Sequence, residues 1–388
     1  MSSQFDKYHV YDGTIKRLVR FTGFWPNPNP SFLYRLLPVV HGLAALILCS
    51  ATLNFCHRYN SNLHLFLKGL CLALSFLTII QKMSCLTFYR ERLMKLHTDL
   101  AISFDLDMND TQLRPILLSP LQSFYSPSLI LSMVTYTTIG MSSITPILLI
   151  VIQLAHGVDH VKYFTPFPTA YPWRIDANTW LYLSIYAFEI YGGIVASFTS
   201  SFDALFGYYV FQITGQFRTL SYRITNLKSN ENYRKVISEC INRHQVLTKC
   251  QDYLEQVYGP IVIWMLVSNA MVMCTLIYQA AHVSPEKALI TVFYMVLKSV
   301  QTLTYGWFGS FLESEKNKFR EAIYGSDWAG SGEKSLMTDV LIMMTYKPFV
   351  LKACSLSNIS IDIFVAVSNT AISYYFMLRT LEQKDTNS

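Results

Sequence analysis

Apolar positions along this chain come in long blocks rather than in the short alternating or striped patterns of a water-soluble fold. Four stretches contain no Asp, Glu, Lys or Arg at all: residues 36–57, 115–158, 256–285 and 363–378. A helix needs roughly 20 apolar residues to cross a bilayer, and most of these blocks reach that length. Block length combined with turn signals predicts seven membrane-spanning helices near 37–56, 65–88, 125–155, 178–212, 250–280, 287–312 and 355–379. A shorter apolar piece, Leu336 to Tyr346, ends at Lys347-Pro348. It is too short to cross alone, and the proline disfavours helix at the residue before it, so it reads as a half-helix that makes the seventh span a broken one.

The polar segments between blocks are also patterned. Arg90-Glu91-Arg92 follows the second span directly, and Glu231 to Glu255 carries Ile237, Ile241, Val246 and Tyr253 among its charges. Regular aliphatic positions in a charged stretch predict helices that continue past the bilayer and pack into an anchor bundle. The expected organisation is one all-α membrane domain over 1–388. It comprises an amino-terminal arm (1–36), spans one to four forming most of a binding bundle (37–212), spans five and six with anchor segments (213–354), and a last helix with a tail (355–388).

Composition agrees with this picture. Of 388 residues 52% are hydrophobic and only 14% charged, against roughly a quarter charged in an average soluble protein, which excludes a single-domain soluble enzyme. There is no Gly-x-Ser-x-Gly, no His-Glu-x-x-His and no phosphate-binding glycine loop, so neither catalysis nor a cofactor is expected. The net charge of +6 is spread over many short segments, unlike a nucleic-acid footprint. The first thirty residues hold Asp6, Lys7, Asp12, Lys16, Arg17 and Arg20 without an apolar core, unlike a secretory signal peptide.

Basic residues decide the expected orientation, because segments retained in the cytoplasm carry the Lys/Arg excess. Taken segment by segment the counts run 5, 1, 5, 2, 7, 1, 5, 2, with Lys82 assigned to the second loop, and Lys68, Lys298 and Lys352 set aside as lying in or beside helices. The alternation predicts a cytoplasmic amino terminus and an extracellular carboxyl terminus, the reverse of a G-protein-coupled receptor. A transporter would show two related halves with interrupted helices in matching positions, and no internal repeat is present.

From Gly306 to the end the sequence resembles the carboxyl-terminal third of insect odorant receptors. The likeness rests on Ser314 with Ala322-Ile323-Tyr324 and Trp328, on Lys347-Pro348, and on the closing Ser373-Tyr374-Tyr375-Phe376. The outer-loop run Pro166-Phe167-Pro168-Thr169-Ala170-Tyr171-Pro172-Trp173 is similar to the family's Pro/aromatic loop and extends the resemblance over essentially the whole chain. The resemblance implies an odorant-gated, non-selective cation channel subunit in the plasma membrane of olfactory sensory neuron dendrites. It implies a heterotetramer with the family's shared co-receptor, with a small volatile odorant as ligand and with lipids and permeating cations as further partners. The co-receptor carries a large insertion before the fifth span, whereas Gln212 to Lys249 is short here, which points to a ligand-tuned subunit. The sister gustatory family ends in Gln-Phe where this chain has Thr380-Leu381, which disfavours that alternative.

Helical spacing along the last span places Asp362, Ala366, Asn369, Ser373, Met377 and Leu381 on one face, small and polar first and aliphatic last. Such a face suits a pore closed by dewetting at Met377 and Leu381, where the resemblance also puts the gate. It equally suits close helix packing, and Asp362 at the membrane edge suits a structural partner. For a ligand, Tyr182, Tyr186 and Glu189 form one stripe on span four, Tyr294, Lys298, Gln301 and Tyr305 another on span six, and Ser132, Thr135, Ser142 and Thr145 a hydroxyl stripe on span three. The outer halves of the spans nominate Leu70, Leu74, Thr145, Leu149, Tyr182, Tyr186, Glu189, Phe293, Tyr294 and Leu297 as pocket residues. A carboxylate inside a span calls for a partner or a wet cavity, and Glu189 is expected either to pair with Lys298 or to hydrogen-bond a ligand oxygen.

Orientation is directly testable. Asn109-Asp110-Thr111 matches the glycosylation pattern but falls on the predicted cytoplasmic side. Full-length chain from eukaryotic cells is expected to show no glycosidase-sensitive mass at Asn109, and a glycan there inverts the topology.

Overall fold

The computed structural model describes residues 2–157, 161–175, 178–226, 233–282, 285–326, 337–338, 340–341 and 350–387. Its helices are α1 (Ser2–Phe21), α2 (Phe32–Arg58), α3 (Leu63–Phe88), α4 (Arg90–Asn109), α5 (Arg114–Leu118), α6 (Leu121–Ala155), α7 (Thr179–Thr225), α8 (Tyr233–His282), α9 (Pro285–Tyr324) and α10 (Ile361–Asn387). The long helices α2, α3, α6, α7, α8, α9 and α10 answer to the seven predicted spans. Five of them, α2, α3, α6 (continued back to Arg114), α7 and α8, are individually long and apolar enough to cross a membrane. The nominated half-helix Leu336–Tyr346 lies largely outside the described residues, as do Trp328, Lys347 and Pro348.

Local chemistry sets the helix starts. Side-chain oxygens of Ser31, Asn62 and Asn178 accept the backbone N–H of Tyr34 (3.3 Å), Leu65 (3.2 Å) and Trp180 (3.0 Å), satisfying donors that a helix leaves open at its first turn. The seventh span starts later than residue 355. Lys352–Ala353 (β1) and Ser357–Asn358 (β2) form a small antiparallel hairpin there, and helix resumes only at Ile361. The hairpin lies so close to α9 that a Cβ on Gly309 would sit 2.0 Å from the Ile359 carbonyl oxygen and one on Gly306 2.6 Å from that of Ser360. Glycine at these two positions is what lets α10 begin against α9.

Helices α7 and α8, with 47 and 50 residues, run roughly 70–75 Å at 1.5 Å per residue, about twice what a hydrocarbon core requires. Their excess length pairs with α4, α5 and the end of α9, as an anchor bundle should. Here Asp107 of α4 receives Arg243 of α8 at 2.6 Å and the Thr219 hydroxyl of α7 at 2.6 Å, and Arg218 of α7 grips Glu315 of α9 at 2.6 Å. The buried line of α8 in this region is Ile237, Cys240, Leu247, Cys250 and Leu254, with Ile241, Val246 and Tyr253 half-buried beside it. The arm is itself helical, and α1 docks on α7 through a Tyr208 hydroxyl donating to Asp12 at 2.7 Å.

Lys82 corrects the basic-residue count, since it is not in a loop. It is buried in α3 and pairs with Asp203 of α7 at 2.5 Å. Asp203 also accepts from the Tyr305 hydroxyl (2.6 Å) and the Gln301 amide (2.8 Å) of α9, so one carboxylate joins three helices at mid-span.

At the opposite end of α7 a second buried carboxylate holds the loop over 161–175. Glu189 is 0% exposed and accepts from the Phe167 backbone N–H (3.0 Å), the Thr169 hydroxyl (2.6 Å) and the Tyr171 hydroxyl (3.1 Å). The expected pairing with Lys298 is not made, because three loop donors already occupy the carboxylate. Hydrogen bonds to a charged acceptor contribute about 1.5–3 kcal/mol each. Glu189→Gln replaces one acceptor oxygen with a donor facing other donors, and is expected to loosen this loop. Faster tryptic cleavage at the exposed Lys162 and Arg174 is the readout, and an unchanged rate would detach loop order from Glu189.

Candidate functional site

A cavity of about 350 Å³ lies between α3, α6, α7, α8 and α9 and is capped by Phe164–Pro168 of the pinned loop. That is within the roughly 300–1,000 Å³ of small-molecule sites. Its wall is mostly apolar, with Leu72, Phe76 and Ile79 from α3, Leu131, Ile139 and Leu149 from α6, and Leu276 and Leu297 from α8 and α9. Polar atoms enter at chosen points. Thr135, Thr138, Ser142 and Thr145 of α6 face the cavity, but each hydroxyl donates to the carbonyl four residues back at 2.7–3.0 Å. They therefore offer the cavity acceptor oxygens rather than free donors. The Asp203 cluster forms part of the wall at the far end from the loop, with Lys82, Asp203 and Gln301 all on it.

Of the residues nominated from sequence, Thr145, Leu149, Tyr294 and Leu297 stand on the cavity wall. The Tyr294 hydroxyl is hydrogen-bonded to Ser75 of α3, and the Lys298 ammonium lies 5.6 Å from the centre of the Tyr294 ring.

Six nominees are elsewhere, for specific reasons. Tyr182 donates its hydroxyl to the Phe164 carbonyl at 2.9 Å and Tyr186 to the Ser143 carbonyl, with their rings 5.7 Å apart, so both fasten the loop and α6 to α7. Glu189 sits behind Phe167, committed to the loop. On α3 the wall near these nominees includes Cys71, Leu72, Ser75 and Phe76; Leu74 packs against Cys71, Val272 and Leu276 without reaching the cavity, and Leu70 is likewise off the wall. Phe293 is next to Tyr294, and one residue is about 100° around a helix.

The wall also holds residues the nomination missed. Phe167 and Pro168 come from a loop, where periodicity carries no information. Asp203 and Lys82 carried a usable signal, since charges inside apolar spans mark functional or paired positions.

On α10 the face holding Asp362, Ala366, Asn369, Ser373 and Met377 is exposed in the single chain, while Ile363 and Ala371 are buried. Ser360 donates to Asp362 at 3.3 Å at the start of the helix. The side chain of Leu381 lies outside the described residues.

Comparison with known proteins bears on this arrangement. Residues 62–372 match the family described as 7tm Odorant receptor. Odorant receptor 13a of Drosophila melanogaster is 23% identical over 243 residues, covering 56% of this chain and 58% of that protein. The odorant receptor coreceptor of Anopheles gambiae is 22% identical over 152 residues, 38% of this chain and 32% of that one. The chain thus matches between a third and three fifths of the length of these relatives. The insect olfactory receptor OR5 of Machilis hrabei superposes with a TM-score of 0.81 at 14% identity, over 96% of this chain and 99% of that one. The same receptor in complex with eugenol gives 0.78 over 97% and 100%. The fold is that of the insect olfactory receptors, a multi-pass bundle of seven spans. With the family match extending over most of its length, the chain belongs to the seven-transmembrane odorant receptor family.

Proposed function

We propose that this chain is the odorant-binding subunit of a heteromeric, odorant-gated, non-selective cation channel, assembled as a heterotetramer with an odorant co-receptor. The carrying observation is the capped cavity of about 350 Å³ with a predominantly apolar wall. A volatile of a dozen or so heavy atoms gains most of its affinity by leaving water for such a space. A relative solved in complex with eugenol, a small aromatic volatile, supports the same use of the fold.

The proposed orientation has the loop and cavity facing outside and the anchor bundle in the cytoplasm, in the plasma membrane of olfactory neuron dendrites. The exposed flank of α6, with Met133, Ile144, Leu148 and Ile152, meets lipid tails. The exposed face of α10 is the pore contribution: Asp362, Asn369 and Ser373 along the cation path, and Met377 and Leu381 as the apolar constriction. Ligand in the cavity touches α9, on whose Gly306–Gly309 surface α10 begins. A shift of α9 is thereby passed to the pore helix by direct contact.

Whole-cell current with and without co-receptor, under a panel of volatiles and with G-protein signalling blocked, tests the reading. A ligand-evoked cation current that requires the co-receptor is expected, and silence from confirmed surface heteromers overturns it. Met377→Ala or Leu381→Ala is expected to raise ligand-free current by widening the dewetted constriction; unchanged resting current in both removes the gate assignment. Leu297→Trp fills the cavity and is expected to raise the half-activating concentration roughly tenfold or more by steric exclusion at unchanged surface level, and an unaltered dose–response places the ligand elsewhere.

A further inference from the structure

Most polar groups on the cavity wall are already engaged. Asp203 receives Lys82, Tyr305 and Gln301; the α6 hydroxyls, and Thr199 and Ser200 of α7, donate to their own helix carbonyls; and Ser75 is bonded to Tyr294. Two buried donors stand apart, while Lys68 of α3 also lines the cavity but is exposed. Lys298, 7% exposed, makes no hydrogen bond or ion pair through its ammonium to any described residue and lies over the Tyr294 ring. Gln279 of α8, 5% exposed, has its amide nitrogen buried without a hydrogen-bond partner. Both residues line the cavity.

An unpaired ammonium and an unpaired amide N–H in a dry site are costly, and a ligand that accepts from both removes the cost. Charge counts in the same direction. Lys82 and Asp203 neutralise one another, which leaves the wall net positive, with Lys298 buried and Lys68 exposed. The engaged hydroxyls of α6 and α7 present only neutral acceptor oxygens to the cavity, whereas its unengaged buried donors are an amide and a cation, a pairing that favours an anionic acceptor over a neutral ligand. Resting on the reading of this cavity as the ligand site, we propose that it selects small organic acids. The carboxylate oxygens accept from Lys298 Nζ and Gln279 Nε2, and the hydrocarbon tail lies along Leu297, Leu149 and Ile139. Charge-assisted hydrogen bonds are the strong ones, so the head group sets the preference and the apolar wall sets the tail length.

The test uses the full chain in lipid nanodiscs with radiolabelled hexanoic acid at neutral pH, displaced by unlabelled hexanoic acid, hexanol, methyl hexanoate, hexylamine and palmitic acid. Hexanoic acid is expected to compete at concentrations roughly ten- to a hundredfold below hexanol. Lys298→Gln is expected to abolish that preference while leaving hexanol displacement in place, Gln279→Leu to reduce it in part, and Lys298→Arg to retain it. Lys298→Arg also guards against misfolding at this position. Hexanol competing as well as the acid, or Lys298→Gln weakening acid and alcohol equally, overturns the assignment. Palmitic acid competing as well as hexanoic acid overturns it too, because a bilayer fatty acid would then be the occupant of a different site. Currents separate this inference from the channel reading. Acid that binds with the predicted preference yet evokes no current in surface heteromers overturns the channel and supports the assignment. Currents evoked by alcohols and esters with no preference for acids support the channel and overturn the assignment.

Discussion

Asp203 is a carboxylate placed where a membrane helix least tolerates one, and the middle of the bundle is arranged around it. An isolated charge in hydrocarbon is costly, and breaking a buried pair by removing one partner leaves that cost uncompensated. Here Lys82 arrives from α3 at 2.5 Å while Tyr305 and Gln301 arrive from α9. No sliding or rotation of α3, α7 or α9 preserves all of these contacts, so the cluster sets the relative depth of three helices. Apolar packing between spans is weakly directional in lipid, where tails are as apolar as leucine. A satisfied polar junction supplies the register that such packing leaves loose.

A second carboxylate on the same helix does a different job. Glu189 and Asp203 are fourteen residues apart on α7, about 20 Å along the axis. The first accepts three donors from one loop and the second accepts from two other helices. Between them lies the cavity, roofed by the loop that Glu189 holds and bounded at depth by the cluster around Asp203. The shape of the space is thus fixed by polar contacts at its ends, while its apolar flanks from α3, α6 and α9 remain free to suit a ligand.

The last helix is tied to the bundle by backbone proximity more than by polar bonds. Glycine at 306 and 309 lets the chain at Ile359–Ser360 lie against α9, and a methyl group at either site would push α10 away. Its small and polar face is exposed among the described residues, while Ile363 and Ala371 are buried on the other side.

Block hydropathy in the sequence determined the membrane class, the seven spans and the helical anchor segments, because burial in lipid imposes a length and an apolarity that one chain displays by itself. The α9 stripe of Tyr294, Lys298 and Gln301 was equally visible, since residues three and four apart share a face. Tertiary structure alone decided which faces look inward at the same space. On α3 the wall takes Ser75 beside Cys71 rather than Leu74, a phase difference of about 100° that hydropathy does not resolve in a run this apolar. Tyr182 and Glu189 serve the loop and Tyr186 fastens α6, because such contacts join residues distant in sequence, and the start of α10 shifted past the hairpin for the same reason. Lys82 read as a loop cation until its partner 121 residues away was known: a charge in a span declares that it has a partner, and only the folded chain says which.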